Sequence, residues 1–341
     1  MKLELERRSF SFSSEAQASY GTLGEREVIQ VRLSGRDGEA GFGEAAPLAA
    51  YDGVSLARVE RVLQGYAAAL DGIDGGAPAI ESCRAVDPLP QALAAVDIAL
   101  WDMAGRREGR PVCELLADPP ARSVAVNATI ADADRAGAAR SAASAVADGF
   151  GCLKVKVGLG DDAARVAAVR AAAGNDVLLR LDANGAWDVA TAVAMIGALE
   201  GAGLELVEEP VHGVDAIRSV RDRVAVRVAI DETASEAGAL AAGCADAVCL
   251  KVSACGGITP LLAAASLVRA GGGDVYLAST FDGPLGVAAA LHAAAALAST
   301  GPVAHCGLAT LALFSDAPPV LAAERGRIEV PRSAGLGVEP V

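Results

Sequence analysis

Three short apolar runs decide how this chain is read: Cys152-Leu153-Lys154-Val155-Lys156-Val157, Val177-Leu178-Leu179-Arg180-Leu181-Asp182 and Leu204-Glu205-Leu206-Val207-Glu208. Each is of strand length and rich in leucine and valine. Between them lie alanine-rich stretches of helical character, Asp161 to Ala173 and Asp188 to Ala202. A strand, a helix and another strand in regular alternation mean parallel βαβ units.

The same rhythm extends both ways. Val124 to Ala128 and the helical stretch Ala133 to Asp148 precede the three runs. Val226 to Asp231, Ala247 to Lys251, Val275 to Ser279 and Val303 to Cys306 follow, with a helical stretch at Leu261 to Ala270. Eight strand candidates predict an α/β fold built on a (β/α)8 barrel, a modified TIM barrel, over residues 119–321. An open, doubly wound sheet is the alternative. It lacks its usual companion here, because no strand leads into a GxGxxG or a phosphate-binding lysine motif. Gly158-Leu159-Gly160 has no third glycine.

Residues 1–118 read differently, as a smaller α+β unit. Val28 to Leu33 alternates as a strand and Gly41-Phe42-Gly43-Glu44 continues it after a turn, while Leu56 to Leu70 and Leu89 to Glu108 have helical spacing. Asp118-Pro119-Pro120 closes the unit.

Composition narrows the function classes. Against 29 basic residues stand 43 acidic ones, a net charge of −14 without basic runs, which is a poor match to nucleic acid. Hydrophobic residues make up 52% of the chain but aromatics only 4%, so small aliphatic side chains must fill the core. Seven cysteines without a CxxC pair read as free thiols in a reducing cytoplasm. The charged start Met1-Lys2-Leu3-Glu4 is unlike a signal peptide, and runs such as Val287 to Leu297 are too short to span a bilayer. A soluble cytoplasmic protein is expected, with room for a homo-oligomer and no membrane or nucleic-acid partner.

The chemistry is written at the strand ends. In a parallel barrel the C-terminal ends of the strands share one mouth. Here they read Lys154-Val155-Lys156, Asp182-Ala183-Asn184, Glu208-Glu209-Pro210, Asp231-Glu232-Thr233 and Lys251. Strand alternation puts Lys154 and Lys156 on one face. A single acid at a strand end is usually a helix cap, but three acids and three lysines at matching depth are costly to bury without pairing or a metal. Carboxylate oxygens suit Mg²⁺. A cation that binds a substrate carboxylate stabilises the charge formed when the neighbouring carbon loses its proton. A lysine whose pKa is lowered by a nearby ammonium is a suitable base.

In order, Lys-Val-Lys, Arg-Leu-Asp-Ala-Asn, Glu-Glu-Pro, Asp-Glu-Thr and the sixth-strand lysine resemble the enolase superfamily, muconate-lactonizing enzyme subgroup. The resemblance covers nearly the whole chain. It makes residues 1–118 a capping domain, through Gly41-Phe42-Gly43-Glu44-Ala45-Ala46-Pro47-Leu48 and Ala99-Leu100-Trp101-Asp102, and makes residues 322–341, with Gly335-Leu336-Gly337-Val338, a tail that rejoins it. By position it implies Asp182, Glu208 and Asp231 as ligands of Mg²⁺ (or Mn²⁺). It implies Lys156 and Lys251 as bases on opposite substrate faces, and Lys154 as the residue that tunes Lys156 and touches the substrate carboxylate. Arg180, Asn184, Glu209 and Glu232 are expected to support this set.

Within the subgroup, the local matches favour o-succinylbenzoate synthase, a lyase of menaquinone biosynthesis. They include Arg180 to Trp187, Ser279-Thr280-Phe281-Asp282-Gly283-Pro284-Leu285-Gly286 and Cys306-Gly307-Leu308-Ala309-Thr310. Ser279, Thr280 and the Gly307 backbone are then expected to hold the succinyl carboxylate. The alternative is an isomerase: a dipeptide epimerase, with Asp282 reaching an α-ammonium group, or an N-acylamino acid racemase. Muconate cycloisomerase and a non-catalytic metal–carboxylate binder are further alternatives. The seventh strand carries no histidine for a mandelate-racemase-type base; His212, His292 and His305 lie elsewhere, His292 in a helix and His305 near the eighth strand's end. The stretch 14–25, with Tyr20, is expected to be a lid over the mouth.

Overall fold

The computed structural model describes residues 1–18, 21–158 and 160–341, with no side-chain description for 14–18 and 22. The N-terminal unit opens with three antiparallel strands, β1 (Lys2–Ala18), β2 (Gly21–Ser34) and β3 (Ala40–Ala45), in that order. Five helices follow: α1 (Ala49–Asp52), α2 (Leu56–Ala69), α3 (Ala77–Val86), α4 (Pro90–Glu108) and α5 (Val112–Leu116). The Gly-Phe-Gly spacing of β3 has a packing reason. A Cβ on Gly41 would lie 2.0 Å from the Ala99 carbonyl oxygen, and one on Gly43 2.0 Å from that of Ala95. Only glycine lets β3 lie directly on α4.

The second unit contains β4 (Ser123–Ala125), β5 (Ala128–Ile130), α6 (Arg135–Ala147), β6 (Cys152–Lys156), α7 (Asp162–Ala173), β7 (Leu178–Asp182), α8 (Val189–Leu199), β8 (Leu204–Glu208), α9 (Val214–Arg221), β9 (Arg227–Ile230), β10 (Ala247–Leu250), α10 (Val252–Cys255), α11 (Ile258–Ala270), β11 (Asp274–Leu277), α12 (Pro284–Leu297), β12 (Ala323–Glu324) and β13 (Arg327–Glu329). Strands β5 to β11 form one parallel sheet in chain order. Isolated bridges from Cys306 to Val126 and from Gly307 to Ala278 close it into an eight-membered ring. The Gly307 N–H donates to Leu277 O at 2.8 Å and the Asn127 N–H to Cys306 O at 3.0 Å.

Two expected strands differ. The eighth, Val303 to Cys306, is present only as the bridging pair Cys306–Gly307. The first, Val124 to Ala128, is divided: β4 pairs antiparallel with β13, and β5 pairs with β6. The 14–25 stretch is not a free loop. Its described backbone forms the two arms of the β1–β2 hairpin, with a register shift between Ser11 and Ala16, and Tyr20 lies outside the described residues.

The C-terminal tail ties the units together. The Gly335 carbonyl accepts from Val112 N–H at 2.9 Å, and Asp102 accepts from Leu336 N–H at 2.7 Å. His292 is part of this joint, not of a site. Its Nδ1 accepts from Cys113 N–H at 3.1 Å, so Nε2 carries the proton and donates to Leu336 O at 3.0 Å. Burial pulls its pKa down to about 4, which keeps it neutral. No helix among the described residues is long and apolar enough to cross a membrane.

Candidate active site

Asp134, Asp161 and Asp188 precede helices and cap them through bonds to the Gly137, Ala164 and Thr191 N–H groups. Asp182, Glu208 and Asp231 cap nothing of that kind. They end β7 and β8 and follow β9, side by side, at 0%, 0% and 6% exposure. Lys156 on β6 is the register partner of Asp182, which is the partner of Glu208. Lys156, Asp182 and Glu208 therefore stand at one level of the mouth.

The lysines occupy the gaps between the acids. Lys154 Nζ donates to Glu208 Oε1 at 2.7 Å and lies 2.8 Å from Asp182 Oδ2. Lys156 Nζ donates to the same Asp182 oxygen at 2.7 Å and to Asn184 Oδ1 at 2.8 Å. Lys251 Nζ bonds Asp231 Oδ1 and donates to the Tyr51 hydroxyl at 2.6 Å. In the ring, β6 and β10 are four places apart of eight, so Lys156 and Lys251 face each other across the mouth with the three acids between them.

Burial alone would raise the Asp182 carboxyl, but Lys154 and Lys156 hold it well below the usual carboxylate range. Burial would likewise lower Lys154 and Lys251; Asp182 and Glu208 raise the first well above normal, and Asp231 the second. Glu208 moves the other way, pushed up by burial more than Lys154 pulls it down. One of its oxygens, Oε2, is buried without a hydrogen-bond partner. A hard, all-oxygen donor set with an unused buried acceptor, now neutralised only by ammonium groups, fits a divalent cation.

The supporting residues divide. Asn184 lies at a left-handed φ of 43° and joins Lys156 to Glu232 through a 3.0 Å bond from its Nδ2. Burial and then Asp231 push Glu232 up to about 8. Glu209, at φ 40°, is an organiser: its carboxylate accepts from the N–H groups of Asp231 (2.8 Å) and Thr233 (3.1 Å) and lies 2.9 Å from His212 Nδ1. Arg180 is not at the mouth. It turns toward the N-terminal ends of the strands, donating to both Glu205 oxygens and to His305 O. The cause is a bulge: Leu179 pairs with Leu204 but Arg180 with Leu206, leaving Glu205 as the extra residue aimed at the guanidinium.

The mouth is a cavity of 240 Å³ that includes Lys154, Lys156, Lys251, Ser279, Thr280 and Gly307. Asp282 does not line it. Asp282 is 2% exposed and accepts from Thr280 Oγ1 at 3.1 Å, while its own N–H donates to Ser279 Oγ at 2.8 Å. Among the described residues the cavity's only carboxylates are Asp182 and Asp231. Its far side is neutral: Asn127, Thr129, Ser279, Thr280 and Thr310 beside Phe150, Phe281, Ala309 and Leu313. His305 is not part of it.

Three residues escaped the sequence reading. Tyr51 reaches in from the N-terminal unit, donating to Asp231 Oδ1 at 2.9 Å, with its ring 4.4 Å from the Lys251 ammonium. Asn127, on the first ring position, has a buried Nδ2 with no acceptor. Cys249 lies beneath the mouth with Glu208 and Asp231. Strand parity puts Cys249 on the Lys251 face and could have found it; no local pattern marks Tyr51, whose partners are 180 and 200 positions away.

Comparison with known proteins agrees with this geometry. The family model described as mandelate racemase / muconate lactonizing enzyme, N-terminal domain, matches residues 9–117, and that described as enolase C-terminal domain-like matches 137–341. A hydrophobic dipeptide epimerase of Enterococcus faecalis is 31% identical over 290 residues, 81% of each chain. Its crystal structure, complexed with Mg and the dipeptide L-Leu-L-Tyr, matches with a TM-score of 0.89 at 28% identity over 98% of both chains. The o-succinylbenzoate synthase of Thermobifida fusca is 41% identical over 207 residues, 58% of this chain and 62% of that one. The N-succinyl Arg/Lys racemase structure from Bacillus cereus matches with a TM-score of 0.91 at 25% identity, over 99% of this chain and 95% of that one.

Proposed function

We propose, from the premise that the chain belongs to the enolase superfamily and within it to the mandelate racemase / muconate lactonizing enzyme family, that it is an o-succinylbenzoate synthase. In this reading it removes the α-proton of a cyclohexadiene carboxylate bearing a hydroxyl and a succinyl arm, and then expels the hydroxyl to leave an aromatic ring.

Asp182, Glu208 and Asp231 would hold a divalent cation, Mg²⁺ in the first instance. When bound it would supply the positive charge that stabilises the substrate carboxylate as the α-proton leaves. Lys156 takes the proton. Lys154 lies beside it on the same strand face and lines the same cavity, its ammonium bonded to Asp182 and Glu208. Lys251, across the mouth, stabilises the anion from the other side. Asn184 orients Lys156, and Tyr51 orients Lys251. The Ser279 hydroxyl, whose oxygen accepts from Asp282 N–H and Thr310 Oγ1 and whose proton is unspent, receives the succinyl arm with Asn127 Nδ2; the Thr280 hydroxyl is committed to Asp282 and the Gly307 N–H to Leu277 O.

The observation that carries the choice of reaction is the neutral far side of the cavity. A free α-ammonium would need a carboxylate there. The candidate, Asp282, is buried and bonded to Thr280. An acyl or succinyl arm needs only hydroxyl and amide donors, which are present.

Purified protein with Mg²⁺ and the dehydration substrate is expected to give the aromatic product, followed by its ultraviolet absorbance. No product, together with racemisation of N-succinyl-L-arginine, would replace this reading with a second one. That second reading, an N-acylamino acid racemase, is favoured by the opposed lysines Lys156 and Lys251 and by the Bacillus cereus relative.

A further inference from the structure

Cys249 takes no part in the reaction above, yet it occupies a revealing position. It sits on β10 two residues before Lys251, on the same strand face, and is 2% exposed. Its Sγ, one Glu208 oxygen and one Asp231 oxygen all lie within 4.8 Å of one another. Among the described residues no other cysteine belongs to such a group. Glu208 is 0% exposed, and its Oε2 is left without a partner because Lys154 takes only Oε1.

We propose that Cys249, Glu208 and Asp231 form a site for a thiophilic divalent cation of the Zn²⁺ class, alternative to the hard cation that Asp182, Glu208 and Asp231 would hold. The inference rests on the cation-site part of the proposed function but not on the identity of the substrate.

The reasoning is one of ligand softness. Mg²⁺ takes oxygen donors and gains nothing from a thiol, so Cys249 is idle in its presence. Zn²⁺ and Cd²⁺ bind thiolate with carboxylate readily. Zinc–ligand bonds of about 2.0–2.3 Å in a tetrahedral shell set ligand atoms about 3.3–3.8 Å apart, so a group whose atoms lie within 4.8 Å of one another closes by no more than about 1.5 Å on binding. When the metal–sulfur bond forms, the thiol proton leaves to solvent. Glu208 contributes its unused oxygen. Because two of the three acids are then engaged, the soft cation excludes Mg²⁺ and inhibits the enzyme.

The test needs no substrate. Metal-free full-length protein is titrated with Cd²⁺ while the cadmium–thiolate charge-transfer band is followed in the ultraviolet. The wild type is expected to show a band that saturates at one equivalent. Cys249→Ser is expected to lose it, and Glu208→Gln to weaken Cd²⁺ binding at least about tenfold. Excess Mg²⁺ is expected to shift the Cd²⁺ midpoint upward. No band in the wild type, a band retained in Cys249→Ser, or a midpoint indifferent to Mg²⁺ would each overturn the proposal. Should Cys249→Ser fail to fold, Cys249→Ala and the wild-type Mg²⁺ competition decide it instead. Mg²⁺ binding with α-proton exchange but no cadmium–thiolate band would sink this inference alone. Absence of any divalent-cation binding would sink the cation reading as well.

Discussion

Lys154 and Arg180 stand side by side, register partners on β6 and β7, both pointing into the barrel. Their head groups go opposite ways. Arg180 meets Glu205 through two bonds of 2.6 and 3.1 Å and His305 O at 2.7 Å, so every guanidinium nitrogen has a partner. Lys154 shares Asp182 with Lys156 and leaves Glu208 Oε2 unmatched. One buried charge cluster is completed within the protein, and the other is left open on one side. The difference separates charges that hold the barrel together from charges that wait for a ligand.

Two substitutions break the comparison most severely. Lys156→Ala is expected to lower α-proton removal by about 10³-fold, the usual scale for a positioned general base. It should leave the melting temperature near that of the wild type, because Asp182 keeps Lys154. Arg180→Met should do the reverse. Removing one member of a buried pair costs about 3–5 kcal/mol, to be read as a lower midpoint in urea unfolding, with proton removal by the surviving folded fraction nearly unchanged. If Arg180→Met destroyed the chemistry and spared stability, the division of roles would be wrong.

A smaller effect sharpens the same contrast at Tyr51. Tyr51→Phe deletes the hydroxyl shared by Lys251 and Asp231. Turnover is expected to fall about tenfold, the worth of roughly one hydrogen bond to a charged group. Steady-state kinetics against Lys251→Ala would check it, since a Tyr51→Phe loss should be absent once Lys251 is gone.

The last effect is on stability alone, read against pH, and lies away from both clusters. Glu44 on β3 accepts from Gly283 N–H at 2.6 Å; burial, and then Asp282, raise its carboxyl to about 8. Arg26 and Gln30 pull in the opposite direction, and Lys251 acts on Asp282. The folded pKa lies above the unfolded value of 4.5, so the folded chain binds the extra proton. The stability from this proton is full below about pH 4.5 and is lost as pH rises to about 8. Thermal unfolding across that window should show the wild type declining more steeply than Glu44→Gln.

Much of this was legible in the sequence. The alternation of runs from Cys152 onward gave the parallel barrel because each strand is short, apolar and followed by an alanine-rich helix. The mouth acids were legible because strand ends converge in such a fold. Three things were not. Arg180 has the right strand face for the mouth, but the bulge at Glu205 draws it the other way, and a bulge leaves no local signature here. Asp282 reads as an available acid, but it is buried and bonded to Thr280 two residues before it, in a segment whose Thr280 and Phe281 carbonyls accept from Arg26 of the N-terminal unit. Tyr51 depends on contacts across two units, which no periodicity encodes.

Loss of the α-proton signal of the cyclohexadiene carboxylate, followed by proton NMR in D₂O with Mg²⁺, tests the central claim most directly. Both dehydration and reversible exchange remove that signal. The wild type is expected to erase it, and Lys156→Ala to leave it in place over the same interval. A persistent signal with folded, Mg²⁺-loaded wild type, or equal loss in Lys156→Ala, would contradict the assignment of the mouth as a proton-abstracting site.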